Sequence, residues 1–295
     1  MLIYIIIINY HQEQITGRAV ASALASLGVQ ARVALVDNES DGRWARARYG
    51  GDPRVELLIN PENIGFGAAC NQGIERALAG GAEFVLLLNS DAVVEPDCLA
   101  RLAEAAARHG LAAPKILLPD GRLYSAGGIV EPARARCRNR GIYQADRGQY
   151  DQPELLRFSS ACALMISRQA LASGVRFHAP YFLYYEDADF CLALGQAGWR
   201  VAYAPQARVF HLESASATSA RAFHPAYYDA RNRLLFLSRR GRTWERCVGG
   251  VYLLAAVAIK MIRAFFRGRR AEARACYRGP RDFFAGRLGP MPQDR

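Results

Sequence analysis

The sequence predicts an α/β fold, a doubly wound and mostly parallel central sheet flanked by helices, on two observations. Four short apolar runs occupy the first third of the chain, "LIYIIII" (2–8), "RVALV" (32–36), "VELLI" (55–59) and "FVLLL" (84–88). They are continuous rather than alternating, as strands covered on both faces must be. Stretches of helical spacing separate them, and strand alternating with helix builds a parallel sheet. The opening "MLIYIIIINYH" has no basic leader and turns polar at Asn9, too early for a signal peptide or membrane span, so it reads as the first buried strand. Ile15, Ala19, Val20, Ala23, Leu24 and Leu27 then recur at helical spacing, with Gly28 as the stop. A later helix opens at "EPD", with Pro96 in its first turn, and closes at Gly110. From 111 the chain reads as Pro/Gly-rich hairpin material, "LLPDGRLYSAGG". Arg134, Arg136, Arg138 and Arg140 follow, as a loop over a crevice or a solvated surface. "SSACALMIS" (159–167) predicts another buried strand, "EDADFCLALGQAG" a helix with Phe190, Leu194 and Ala197 inward, and "WRVAYAP" a final strand.

The 295 residues, 51% hydrophobic and 22% charged, suffice for one large domain or two small ones and exclude a disordered chain. The formal net charge of +11 is unevenly placed: residues 231–295 hold 16 Arg+Lys against 4 Asp+Glu, a net of +12, while the first 230 residues net −1. A basic balance points to nucleic acid, a membrane surface or acidic ligands. The remainder is near neutral and carries no nucleic-acid recognition motif, so nucleic acid is not an expected partner. Seven scattered cysteines without CxxC or Cys/His spacing imply reduced thiols in a cytosolic protein rather than zinc.

Each apolar run ends in a polar cluster: Asn9-Tyr10-His11, Asp37-Asn38-Glu39-Ser40, Asn60-Pro61-Glu62-Asn63 and Asn89-Ser90-Asp91. Any one of them suits a turn. In a parallel sheet, however, the carboxyl ends share one rim where ligands bind, so four together predict a binding crevice. Further on, "YYEDADF" crowds Glu186, Asp187 and Asp189 into four positions, either as a helix start that complements the helix dipole or as a catalytic acid cluster.

"VDNES", "NIGFGAACNQG", "LLLNSDA", "YYEDADFCLALGQAGWRVAYAP" and "FH", in that order, resemble glycosyltransferase family 2, particularly its rhamnosyltransferase-like members, over about residues 1–240. The resemblance implies a GT-A fold over 1–240, followed by a basic, apolar tail over 241–295. It also implies inverting transfer of a sugar from a nucleoside diphosphate donor, dTDP-rhamnose first and UDP-sugars next, to a hydroxyl of a glycan or lipid-linked acceptor. In these terms Asn9, Tyr10, Asp37, Asn63, Gly65, Asn71, Asn89, Ser90 and Asp91 bind the donor nucleotide. Asp91 and His211 hold a divalent cation, Mg or Mn, whose charge offsets that of the diphosphate leaving group. Asp187 is the general base, and Glu186 orients the acceptor or holds the loop. Tyr181, Phe182, Tyr184 and Tyr185 form an apolar floor for a sugar or ordinary core. Two departures stand out: Asn89 takes the place of the first Asp of a DxD metal motif, and His178 and Ala179 replace acidic residues in "VRFHAPYF", so acceptor specificity is not carried over.

The tail's apolar run "CVGGVYLLAAVAI" (247–259) has 13 residues, short of the roughly 20 a membrane span needs. Arginines and Phe265 and Phe266 follow it, as in an interfacial helix on anionic lipid, and a packed terminal helix with a solvated basic end is the alternative. The expected location is cytoplasmic, at the inner face of the cytoplasmic membrane. Two other functions fit parts of the chain: a dinucleotide-dependent oxidoreductase, from the near-match of "GFGAACNQG" to GxGxxG, and an inactive nucleotide-sugar-binding protein.

Overall fold

A computed structural model of the protein describes residues 1–212 and 225–292. Strands β1 (Leu2–Asn9), β2 (Gln30–Asn38), β3 (Val55–Asn60) and β4 (Phe84–Asn89) lie side by side in the order β4-β1-β2-β3, all parallel. Two-sided burial explains their unbroken apolar runs: Tyr4 and Ile6 enter one core layer, Ile3, Ile5 and Ile7 the other. Helix α1 (Glu13–Leu24) covers the second layer with Val20, α2 (Arg43–Tyr49) with Ala45, and α4 (Cys98–His109) with Leu99 and Leu102, while α3 (Phe66–Ala79) covers the first with Ile74. α1 stops at Leu24, earlier than its spacing suggested, and Leu27 is exposed. Gly28 instead takes a left-handed φ of +74° in the turn into β2. Pro96 stands just ahead of α4 rather than in its first turn, and its carbonyl accepts the Leu27 N–H.

The second half of the sheet comes from β5 (Ala92–Val94), β6 (Gly110–Leu117), β7 (Leu123–Ser125), β10 (Glu154–Leu156), β11 (Ala163–Ser167) and β12 (Arg200–His211), with β8 (Gly128–Glu131) and β9 (Arg136–Asn139) forming a separate antiparallel ribbon. Among the described residues the main sheet has ten strands along β10-β12-β6-β11-β4-β1-β2-β3, with β5 on β12 and β7 on β6. β11 runs antiparallel to both neighbours. The expected hairpin is present in "LLPDGRLYSAGG", where β6 and β7 pair antiparallel about Gly121, but its start at 111 is a correction: residues 110–117 are a fully buried strand. Pro114 lies inside this strand. It is tolerated because the β12 register slips directly after Pro114, which has no N–H to donate. Lys115 beside it is buried and ion-paired to Asp146 (2.9 Å) and Asp151.

α5 (Arg168–Leu171) follows β11, and α6 (Glu186–Gln196) packs Phe190 and Leu194 into the first layer. Ala197, expected inward, is exposed just past the last turn. The chain finishes in α7 (Pro225–Arg240), α8 (Thr243–Phe266) and α9 (Arg270–Phe284). Leu234, Leu253 and Cys276 from these three helices share an apolar cluster with Phe182. α8 is 24 residues long, well beyond the 13-residue run, and only 22% of its most apolar stretch is buried. By length and composition alone it is sufficient to cross a membrane.

Asp189 fastens α6 to α7. It is buried, receives Arg240 Nε at 2.7 Å and Arg239 Nε at 3.1 Å, and faces Tyr181 Oη at 3.4 Å. Burial alone would raise its pKa, but the two guanidinium groups outweigh that and hold it below the usual carboxylate range. Replacing Asp189 by Ala strands two guanidinium groups at the helix junction. We expect a loss of about 3 kcal/mol of unfolding free energy, measured by urea denaturation.

Candidate active site

The carboxyl ends of β1, β2 and β4 and the turn after β3 open onto a crevice of about 290 Å³. Tyr10, Asn63, Gly65, Asn89, Ser90 and Asp91 line it, with Asn38 and, from a distant loop, Phe182 and Tyr184. Asn9 and Asp37 are paired across β1 and β2 and buried at the same strand ends. Asn9 Nδ2 donates to Asp37 Oδ1 (2.7 Å), and Asn9 Oδ1 accepts from Thr16 Oγ1 (2.8 Å). Asp37 Oδ2 is left buried with no hydrogen-bond partner among the described residues. An orphaned buried carboxylate oxygen is a ready acceptor for a ligand N–H or O–H. Asn63 Oδ1 accepts from Asn38 Nδ2 and from the Gly65 N–H, both at 2.9 Å, and so shapes the turn into α3. Gly65 has φ +84°, and a Cβ there would lie 2.7 Å from the Phe182 carbonyl oxygen. Asn71 is not brought to the crevice: its amide exchanges two 2.9 Å hydrogen bonds with the Phe177 backbone.

Asp91 and His211 lie 120 positions apart in the sequence, yet β5 and β12 pair with Ala92 opposite His211. The Leu212 N–H also bonds to the Asp91 carbonyl at 2.7 Å. His211 Nε2 consequently stands 3.3 Å from Asp91 Oδ1, both side chains nearly buried. The imidazole stacks on Tyr124 from β7 (centroids 4.2 Å, planes 10° apart), a neighbour that sequence reasoning missed. His211 Nδ1 is buried without a hydrogen-bond partner among the described residues. No group of three or more His, Cys, Asp or Glu suited to a metal exists among the described residues. One carboxylate and one imidazole do suit a magnesium-like or manganese-like ion, which takes few protein ligands and fills its remaining positions with phosphate and water.

Beyond Tyr184 lies a larger cavity of about 1150 Å³, whose lining includes Glu186, Asp187, Tyr185, Phe158 and Ser160. The two acids open α6. Asp187 accepts the Ala161 N–H (3.2 Å) and the Ala188 N–H (2.8 Å), while Glu186 is buried with Oε2 unpartnered among the described residues. Burial raises both pKa values; the Asp187 charge adds to the rise at Glu186, and backbone N–H groups moderate it at Asp187. A carboxylate raised in this way is a better proton acceptor near neutral pH.

The loop before α6 is strained. Phe182, Tyr184 and Tyr185 all have φ between +67° and +74°, a conformation that costs a non-glycine residue roughly 1–3 kcal/mol. Two fully buried residues of α7 hold it: Asn232 Nδ2 donates to the carbonyls of Tyr181 (3.0 Å), Leu183 (2.6 Å) and Tyr184 (3.0 Å), and Arg231 Nη2 to Tyr181 (2.7 Å). Sequence reasoning missed both residues. The available signal was phase: 231 falls in the apolar row of Tyr227, Ala230 and Leu234, where an arginine must find buried acceptors.

The Glycosyl transferase family 2 model matches residues 4–172, more than half of the chain. The chain belongs to this family. A glycosyltransferase with these two adjoining hollows transfers sugars, and its relatives agree. It is 29% identical over 264 residues to the N-acetylglucosaminyl-diphospho-decaprenol L-rhamnosyltransferase of Mycobacterium tuberculosis, covering 81% of this chain and 85% of that protein. Among solved structures, GalNAc-T7 with UDP, GalNAc and Mn2+ matches with a TM-score of 0.56 at 13% identity, over 72% of this glycosyltransferase and 44% of that longer chain. S. aureus TarS 1-349 matches with a TM-score of 0.54 at 14% identity, over 90% and 74%. At such identities the likeness is one of fold, and the GT-A architecture implied by the motifs holds. Family membership sets aside the oxidoreductase reading of "GFGAACNQG". Its Gly65 turn is closed against Phe182, whose carbonyl accepts the Phe66 N–H at 2.8 Å.

Two raised carboxyl groups have a stability consequence. In the unfolded glycosyltransferase they ionise near pH 4, while in the folded state they retain protons to higher pH, so stability falls as pH rises through that window. Glu186→Gln removes one member of the pair. We expect it to raise Tm above the parent at about pH 8, by an amount worth about 1 kcal/mol or more, with the gain vanishing near pH 4, measured by thermal melts across that range.

Proposed function

We propose that this glycosyltransferase acts with inversion, moving a sugar from a nucleoside diphosphate to a hydroxyl of a glycan carried on a lipid diphosphate, with Asp187 as general base. The observation that carries the reading is the adjacency of two hollows at Tyr184, which lines both: one edged by Asn63, Ser90 and Asp91, the other holding Glu186 and Asp187. Rhamnose from dTDP-rhamnose is the first-choice donor, supported by the Mycobacterium tuberculosis relative, which is an L-rhamnosyltransferase acting on a diphospho-decaprenol acceptor.

In this reading Asp37 Oδ2 accepts a hydrogen bond from the base or ribose, and the Asn38–Asn63 pair holds the turn against which the nucleotide lies. Asp91 and His211 would hold the divalent cation, Mg or Mn, that neutralises charge on the departing diphosphate. Asn89, in place of an acid, leaves more of that grip to the donor's own phosphates. Asp187 takes the proton of the acceptor hydroxyl as its oxygen bonds to the anomeric carbon from the face opposite the leaving group. The bond from that carbon to the donor phosphate breaks, and its electron pair leaves on the nucleoside diphosphate. Glu186, buried against Gly67 of α3, keeps the start of α6 in place. Residence at the inner face of the cytoplasmic membrane is supported by the exposed apolar side chains of α8, Val251, Ile259 and Phe266 among them, and by the arginine-rich tail.

Asp187→Asn should retain dTDP binding while turnover of dTDP-rhamnose falls by about 10²- to 10⁴-fold. Calorimetry and product mass spectrometry measure the two quantities, and near-normal turnover would remove Asp187 from the role. Asp91→Asn should raise the Mg²⁺ or Mn²⁺ concentration needed for half-maximal rate by about tenfold, read from a metal titration. An unchanged requirement would place the cation elsewhere.

A further inference from the structure

The larger cavity is bounded by more than the acid cluster. Its lining also holds Lys260 near the end of α8, Arg269 and Arg270 at the turn into α9, and Arg138 from the β8–β9 ribbon. Four cations from three separate parts of the chain therefore line the hollow that contains Glu186 and Asp187. They differ from those acids in depth: Glu186 is buried and Asp187 half-buried, whereas Arg138, Lys260 and Arg269 are 43%, 44% and 65% exposed and Arg270 is also exposed. Glu186 and Asp187 lie deeper, and the cations are more exposed, with Asp229 and Glu272 of the same lining beside Lys260 and Arg269.

These cations are loosely partnered. Arg138 faces Glu131 at 3.7 Å, Lys260 faces Asp229 at 3.7 Å and Arg269 faces Glu272 at 3.6 Å, all beyond hydrogen-bonding distance. Exposed pairs of that kind contribute little stability, so an incoming anion can displace them at small cost. Arg270 has no ion pair among the described residues. By contrast, the buried Lys115 and the less exposed Arg240 are held at ordinary contact distance by acids. The exposed apolar side chains Ile262, Phe265 and Phe266 occupy the last turns of α8, directly before the arginine turn.

We propose that Arg138, Lys260, Arg269 and Arg270 form an anion station for the diphosphate of the acceptor, seating its glycan on Tyr184 and Tyr185 toward Asp187 while its lipid leaves along the end of α8. This rests on the acceptor reading above. Guanidinium groups suit the task because their planar fork matches phosphate oxygens. The lining combines a half-buried carboxylate, aromatic rings and cations, and the exposed apolar end of α8 adjoins the cations in the chain, the same set of chemistries as a sugar joined through a diphosphate to a hydrocarbon chain. Three of the station's four cations, Lys260, Arg269 and Arg270, come from the basic tail.

The test uses the full-length protein with geranyl diphosphate as the probe, beside dTDP and phosphatidylglycerol vesicles. The Arg269→Gln/Arg270→Gln variant and, independently, Arg138→Gln alter exposed side chains, and unchanged thermal melts establish that they fold. The double variant should weaken geranyl diphosphate binding by about tenfold or more and leave dTDP binding within about twofold. Arg138→Gln should weaken the same ligand to a smaller degree. Unchanged geranyl diphosphate affinity, or no saturable binding to the parent, overturns the proposal. An equal loss of dTDP affinity also overturns it, by assigning the cations to the donor. Loss of vesicle binding with geranyl diphosphate binding intact overturns it in favour of lipid headgroups. Failure of rhamnose transfer alongside the expected losses would sink the donor assignment and leave the anion station standing.

Discussion

The backbone from Phe182 to Tyr185 is the constraint on which the site depends. Three aromatic residues in left-handed conformation would relax if left to themselves. Arg231 and Asn232 prevent this by meeting the loop's carbonyls from inside α7, so the energy of the strain is offset by buried hydrogen bonds with no competing water. The geometry radiates from there. The Phe182 carbonyl bonds to the N-terminus of α3 and leaves room only for a glycine at 65, Tyr184 partitions the two hollows, and Tyr185 starts the helix that carries Glu186 and Asp187.

Charge is distributed to match. Glu186 is buried and Asp187 partly so, and desolvation raises the proton affinity of both, while Asp189 two positions on is tied to Arg239 and Arg240 and held below the usual carboxylate range. Two outcomes thus arise within one turn of helix, because one carboxylate meets guanidinium groups and the others meet apolar walls and each other. A fourth acid, Asp91, is matched to an imidazole by the register of a three-residue strand.

Features set by local pattern were legible from the residues. β1 to β4 could be read because two-sided burial leaves unbroken apolar runs, and the crevice because polar residues punctuate each strand end. β6 was not read as a strand: it contains Pro114, whose disfavour in a sheet is cancelled by a bulge on a strand 90 positions later. α8 was read short because the apolar count stopped at Lys260, although the helix continues with its cations on one side. The placement of Asn71 against Phe177 and the Arg231–Asn232 clamp depend on contacts between distant segments. Composition presented Arg231 merely as one more basic residue of the tail. The clustering of Arg138 with Arg269 and Arg270 was equally invisible, since 130 residues separate them and only the packing of the terminal helices brings them to one cavity.

Arg231 also donates through Nη1 to the carbonyl of Gly289 at 2.6 Å, and the Gly289 N–H returns to the carbonyl of Pro180. A segment near residue 289 therefore closes the clamp on a loop made more than a hundred codons earlier. During synthesis the parallel strands can assemble on the emerging chain, but this latch waits until residue 289 has cleared the ribosome. The sheet therefore precedes the lock on the 182–185 loop, and the crevice that Phe182 and Tyr184 help to line takes its final form only with that lock.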